Sequence, residues 1–270
     1  MEAFLTYLEQ HDEIRFGLVF GSLTLAIILE NLIPLVKFKG SRIKHVGTNL
    51  VFVVTTGIVT GLLAFLAYEV LAVHTLSTGI FGLLGLPLIA KVILGLIILD
   101  FFGQYFVHVC LHKFKWLWKL HLVHHSDTTV DASTGTRHHP GDMLVRELLI
   151  LTVIAVFGIP LAVYVLYRII TPFFAYFTHA NIELPLAVDR ALSWIIVTPN
   201  MHKFHHHFER PWTDTNFGNV LSCWDRLFGT FVYADPKDIQ YGVDTVDGSQ
   251  DLNLGYQYRL PWNPAIKTDY

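Results

Sequence analysis

The chain has 270 residues, 53% of them hydrophobic and 15% charged, with 15 histidines and a formal net charge of −3; its mean hydropathy is +0.46. An average soluble domain is about 25% charged, so the composition excludes a disordered chain, a coiled coil and a nucleic-acid binder, and it points to an integral membrane protein. Two cysteines, Cys110 and Cys223, form neither a disulfide framework nor a zinc-ribbon spacing.

Crossing a hydrocarbon core takes about 20 apolar helical residues. The first 15 residues, with Glu2, Glu9, Asp12 and Glu13, lack the basic flank of a signal peptide; they read as a short amphipathic interfacial helix. The first expected span runs from Phe16 to about Val36, interrupted by Glu30 and Asn31, and the second from Val46 to Tyr68 without a charge. After Glu69, the stretch with Gly79, Gly82, Gly85 and Pro87 reads as a loop leading into a helix that continues through Leu94–Leu99 to about Val107. Leu144 to Phe177 is too long for one crossing and holds Gly158-Ile159-Pro160 near its middle. A proline there removes a backbone donor, so the segment is expected to be a helical hairpin entering and leaving on one face.

Basic residues set orientation. Lys37, Lys39, Arg42 and Lys44 follow the first span, Lys113, Lys115 and Lys119 follow the third, and Val70 to Ala90 has no Lys or Arg. The basic loops and the polar tail from about Asn200 to Tyr270 are therefore expected in the cytoplasm, with the N-terminus outside.

Twelve of the 15 histidines fall between His108 and His207. His108 and His112 stand at i and i+4; His121, His124 and His125 at i, i+3 and i+4; and the HxxHH spacing recurs at His202, His205 and His206, followed by His207. On a helix each cluster shares one face. His138-His139 and His179 lie between them. Every cluster sits just past the end of an expected span, so all can converge at one membrane interface. Neutral imidazole suits iron, zinc, copper and nickel. HExxH is absent, so a zincin-type protease is disfavoured. The clusters contain no glutamate, unlike a ferritin-like di-iron site. A transporter places its ligands near mid-membrane, where Glu30, Glu69 and Asp100 are the candidate acids. A histidine-rich membrane protein that binds or moves zinc without catalysis stays open at this point.

The pattern resembles the fatty acid hydroxylase/sterol desaturase superfamily, closer to its sterol-desaturase branch. The likeness includes HxxxH, HxxHH and a second HxxHH. It extends to Asp100 with Tyr105, Leu117-Trp118, Arg137-His138-His139-Pro140, Thr178-His179-Ala180-Asn181, Thr198-Pro199, Asn216-Phe217-Gly218 and Trp224-Asp225-Arg226-Leu227-Phe228-Gly229-Thr230. Val109 departs from the arginine often found after the first histidine.

The resemblance implies an all-α integral membrane protein in a single domain over 1–270: three transmembrane helices in 16–107, the first histidine clusters in 108–142, a membrane hairpin in 143–178, and a cytoplasmic cap in 179–270. It implies a non-haem di-iron oxygenase that hydroxylates or desaturates a sterol, fatty acyl or ether lipid with O2. The two irons, which zinc can replace on purification, would be held by His108, His112, His121, His124, His125, His139, His179, His202, His205 and His206, with His138 and His207 outside the set. Asp100, Asp131 and Asp225 are the expected acids orienting the imidazoles. No cytochrome b5, flavin or ferredoxin motif occurs in the sequence, so a separate donor of one of those types is expected, and a bacterial inner membrane is favoured over the endoplasmic reticulum.

Overall fold

The computed structural model describes residues 1–38 and 40–267, with side chains given for all of these except 67–78 and 238. Lys39 and the side chains of Tyr68, Glu69 and His74 thus lie outside the described residues. Among the described residues there are helices and no strands; two isolated bridges, Pro34 with Ile182 and Ile196 with Leu221, are the extended contacts.

The helices in order are α1 (Glu2–Gln10), α2 (Asp12–Leu32), α3 (Arg42–Thr78), α4 (Ile80–Leu83), α5 (Leu88–Asp100), α6 (Val107–Lys113), α7 (Lys115–His125), α8 (Pro140–Phe157), α9 (Leu161–His179), α10 (Leu186–Leu192), α11 (Pro199–His205), α12 (Cys223–Leu227) and α13 (Leu254–Arg259). A π-helical turn, Phe101–Phe106, joins α5 to α6 into one continuous rod. Among the described residues, three stretches are long and apolar enough to cross a membrane: Arg42–Leu66, Leu88–Lys113 and Leu161–His179.

The chain's punctuation explains the boundaries. Ser41 caps α3 by accepting from the Lys44 amide, as an N-cap hydroxyl does. The expected first span falls on α2, which ends at Leu32 before Pro34 rather than reaching Val36 and is not among those three stretches. The third expected span extends past Val107 to Lys113, so His108 and His112 ride on the end of the crossing helix itself. The hairpin breaks where Gly158 takes φ +67° and Pro160 precedes α9; such a left-handed residue favours glycine. A Cβ on Gly79 would collide with the Gly158 backbone, which shows how closely the α3–α4 joint meets the hairpin tip.

The core holds these helices around the histidines. Leu99, Ile150, Ile154, Ile159, Val163 and Tyr167 unite α5, α8 and α9. Leu23, Ala26, Tyr176 and Ile182 tie α2 to the end of α9. Phe52, Trp118, Leu122, Leu260 and Ile266 clamp the C-terminal segment onto α3 and α7. Glu30 is fully enclosed and accepts from the amides of Ala132 (2.6 Å) and Asn181 (2.7 Å) while pairing with Arg42. It is a tether between α2, α3 and the chain after His179, and all of its oxygens are engaged in that role.

Candidate metal centre

Four chain segments deliver the imidazoles. The rod ending in α6 turns back at Phe114, whose extended backbone starts α7, so the faces of His108/His112 and His121/His124/His125 oppose each other. His179 closes α9. Thr198 caps α11 through the Met201 amide, with Pro199 in its first turn, and aims His202, His205 and His206 into the same space. Nine histidines meet there in two groups: His108, His112, His121, His125 and His205 in one, His124, His179, His202 and His206 in the other. All nine rings are buried.

Hydrogen bonds on the outer nitrogens fix which atom faces inward. The Nδ1–H groups of His108 and His205 donate to the carbonyls of Phe217 (2.8 Å) and Thr215 (2.6 Å). Those of His179 and His124 donate to the carbonyls of Ala175 (2.7 Å) and Arg137 (3.3 Å). His121 donates to Asp142 (2.7 Å) and His112 to Asp214 (3.2 Å). A neutral imidazole carries one proton, so each of these Nε2 atoms presents a lone pair. Yet His108 and His121 place their Nε2 atoms 3.0 Å apart, and His124 and His179 place theirs 3.2 Å apart. Two lone pairs at that separation repel unless a cation lies between them. Ligands about 2.0–2.1 Å from one metal stand about 2.9 Å apart at a right angle and about 3.4 Å apart at a tetrahedral angle. His202 and His206 approach His179 Nε2 at 3.1 and 3.0 Å, and His112 approaches His125 at 3.1 Å. His205 Nε2 is buried with no hydrogen-bond partner. The donor set fits two metal ions.

Electrostatics keeps the rings in the ligand form. Burial pushes His121 down to about 3 in spite of Asp142. Burial, reinforced by the neighbouring imidazoles, holds His124, His125, His202, His205 and His206 well below the ordinary histidine value. Although burial opposes ionisation, Arg146 and His121 hold Asp142 well below the usual carboxylate range. The sign for stability follows. Between the unfolded value of 6.5 and the folded value of about 3, the unfolded chain binds the proton at His121 and the native chain does not. Stability therefore rises with pH across that window and is lost as pH falls through it. Metal-stripped protein in detergent is expected to show a falling thermal midpoint from pH 7 towards pH 4, and bound metal should shift the loss to lower pH.

Nine of the ten expected ligands come together, and His139 does not. It is the residue before α8, its Nδ1 accepts from the Gly141 amide at 3.0 Å, and its ring packs on Trp262. His138 stands by the cluster instead: it stacks on His124 at 4.6 Å and lies 3.3 Å from Asp142. His207 stays outside, its Nδ1 accepting from the Glu209 amide.

None of the three expected acids touches a ring of the cluster. Asp100 accepts from Trp224 Nε1 (2.8 Å) and the Leu221 amide. Asp131 caps the turn at 132–136 and lies 3.2 Å from His45. Asp225 accepts from the amides of Phe217 (2.7 Å) and Gly218 (2.9 Å), which makes it one step removed from His108 through the Phe217 carbonyl. The acids on the rings are Asp142 and Asp214. Asp142 had a local signal, four residues after His138 at a helix start; Asp214 had none, being 102 residues from His112.

A cavity of about 930 Å³ opens beside this centre and runs between α2, α3, α8 and α9. His138 and Ala175 line its near end, so the ring stacked on His124 and the residue whose carbonyl holds His179 both border the space.

Residues 92–230, just over half of the chain and containing every one of these histidines, match the fatty acid hydroxylase family. The chain belongs to that family. Its relatives include the ornithine lipid hydroxylase OlsE of Rhizobium tropici, 33% identical over 54% of this chain and 43% of that protein. Alkylglycerol monooxygenase of Homo sapiens is 30% identical over 53% of this chain and 31% of its own length, and that of Caenorhabditis elegans 29% identical over 61% and 32%. The matched region thus spans less than half of each of these relatives. No solved structure matches the chain. Family membership, the apolar helices and the histidine clusters together make this a multi-pass membrane protein of a lipid-oxidising family.

Proposed function

We propose that this chain is a membrane lipid oxygenase that holds two iron ions and uses O2 and external electrons to hydroxylate or desaturate a lipid. The observation that carries the reading is the pair of inward-facing Nε2 sets beside a cavity bordered by membrane helices. One ion would be held by His108, His112, His121, His125 and His205, and the other by His124, His179, His202 and His206, with His138 adjoining the second. Bound there, the iron pair supplies the oxygen-activating chemistry, as metal cofactors generally do.

The rest is the work of this chain's own residues. Asp142 and the carbonyls of Phe217, Ala175 and Thr215 keep protons on the Nδ1 atoms of His121, His108, His179 and His205, so their Nε2 atoms stay free to ligate. Asp225 fixes the Phe217 backbone that does this for His108. Phe217 and Trp118 are buried against the rings, Phe217 on His108, His112 and His205 and Trp118 on His112 and His125, and exclude water there. The cavity holds the lipid against His138. The names of the relatives put an ornithine lipid and an alkylglycerol ether lipid among the substrates to try. We also propose a separate donor of the cytochrome b5, ferredoxin or flavin type. By the positive-inside rule, Lys37, Arg42, Lys44, Lys113, Lys115 and Lys119 put the centre on the cytoplasmic face, in our reading of a bacterial inner membrane.

The test is anaerobic reconstitution of metal-free protein with Fe(II), followed by reductant, O2 and the candidate lipids. Lipid-dependent oxygen uptake is expected, with mass spectrometry telling a product that has gained an oxygen from one that has lost two hydrogens. A zinc-storage or transport protein gives no uptake. If iron-loaded His124→Ala matched the wild type, the di-iron reading would fail.

A further inference from the structure

The cavity beside the histidines is not uniformly apolar. Midway along it, α8 and α9 face each other through Glu147 and Arg168, joined at 2.5 Å between Arg168 Nη1 and Glu147 Oε1. Tyr164 donates its hydroxyl to the other Glu147 oxygen at 2.9 Å. Glu147 is therefore saturated and enclosed, with 2% of its side chain exposed, whereas Arg168 keeps 34% exposed. A guanidinium has five N–H donors, and this one spends a single nitrogen on protein among the described residues. Arg146, one residue before Glu147, also lines the cavity; its Nε is committed to Asp142 at 2.7 Å.

An ionisable pair inside a membrane hairpin is costly and usually marks a functional site. Donors that face a cavity between membrane helices need an acceptor, which water or a polar ligand group can supply. A plain hydrocarbon offers none. In this belt Arg146 is balanced by Asp142 and Arg168 by Glu147, but Arg168 keeps unspent N–H donors toward the cavity, and a planar guanidinium matches the paired oxygens of a carboxylate or phosphate. The apolar wall above and below the belt, including Val53, Ile150, Leu161 and Tyr176, suits an alkyl chain. We infer that the cavity takes an amphiphile whose carboxylate or phosphate group is held by Arg168, with its alkyl chain along α3 and α9. The inference rests on the reading of the cavity as the lipid site of the proposed oxygenase. Arg168 lies about 10 Å along the α9 axis from Ala175, at 1.5 Å per residue. The anionic group is thereby kept away from the histidines, where it would otherwise compete as a metal ligand.

The experiment measures binding to the metal-loaded protein in neutral-lipid nanodiscs, using dodecyl phosphate, dodecanoate and uncharged dodecanol as probes. Inorganic phosphate and acetate serve as chainless controls. At least one anionic dodecyl probe is expected to bind about 10- to 100-fold more tightly than dodecanol, the range for a hydrogen bond to a charged group; which of the two does so identifies the head group. Arg168→Gln should remove that preference and leave dodecanol affinity and metal content unchanged. Glu147→Gln, which frees Arg168 from its competitor, should strengthen anionic binding; this variant keeps the test open if Arg168→Gln fails to fold. Equal affinity for all three dodecyl probes, a preference that survives Arg168→Gln, anionic binding not strengthened by Glu147→Gln, or chainless anions binding as tightly as the dodecyl ones would each overturn the inference. If the preference holds and the reconstituted protein takes up no oxygen with any lipid, the amphiphile site stands and the oxygenase reading falls alone.

Discussion

Replacing His179 by alanine is expected to lower the bound metal from about two ions per chain to about one and to abolish lipid oxidation. His179 Nε2 is approached by the Nε2 atoms of His124, His202 and His206 at 3.2, 3.1 and 3.0 Å, so it is common to every one of these close Nε2 approaches in its group. Its own orientation is local, held by the Ala175 carbonyl one turn back on α9. Losing it leaves three imidazoles without their shared neighbour and leaves the five-histidine group intact. Elemental analysis of wild type, His179→Ala and His205→Ala checks this, since the two variants should each lose an ion from a different group. A His179→Ala protein that kept both ions at full occupancy would show that the four-histidine group is no metal site. The activity loss should exceed the 10- to 100-fold typical of changes to groups that only orient a ligand.

Asp142→Asn belongs to that orienting class. Asp142 accepts from His121 Nδ1 and from Arg146 Nε, each at 2.7 Å, with His138 Nδ1 at 3.3 Å. The amide removes a fully buried negative charge between a guanidinium and two imidazoles, and it can present N–H where His121 needs an acceptor. Metal affinity of the five-histidine group is expected to fall about 10- to 100-fold, measured by competition with a chelator, and the four-histidine group should hold its ion. Unchanged affinity would place the control of His121 elsewhere. The folding cost also has a stated cause: Arg146 would be left without its carboxylate, and breaking a buried pair costs about 3–5 kcal/mol. Thermal unfolding of the metal-free variant reads this separately from the metal effect.

These effects were legible in the sequence to different depths. The histidine clusters were plain because i, i+3 and i+4 spacings declare a shared helical face whatever the fold, and α6, α7 and α11 keep that promise. The hairpin was legible for the same local reason, from Gly158 and Pro160. The exchange between His139 and His138 depended on a capping detail. Pro140 starts α8, which makes His139 the N-cap and spends its ring on the Gly141 amide, leaving His138 to face the cluster. Asp100 stands eight residues before His108, which on a regular α-helix would bring it near the same face, but the intervening backbone is π-helical and its carboxylate is taken by Trp224, 124 residues away. Asp214 and His112 meet only through tertiary structure. Spacing reports what lies on one element; contacts between elements had to await the fold.

The wide turn at Phe101–Phe106 sets the rotational phase of everything that follows it. An i→i+5 turn inserts a residue into an otherwise α-helical rod, so upstream and downstream faces are offset from their ordinary relation. Upstream, Asp100 fastens the rod to Trp224 and Leu221. Downstream, His108 and His112 must point between α7 and α11. Deleting one residue of the turn would let the α ladder close up and swing the distal end by about 100°. Both imidazoles would then leave the centre, though no histidine had been touched and the rod was shorter by only about 1.5 Å. The length of this helix is thus a coded quantity, as fixed as the identity of the ligands at its end.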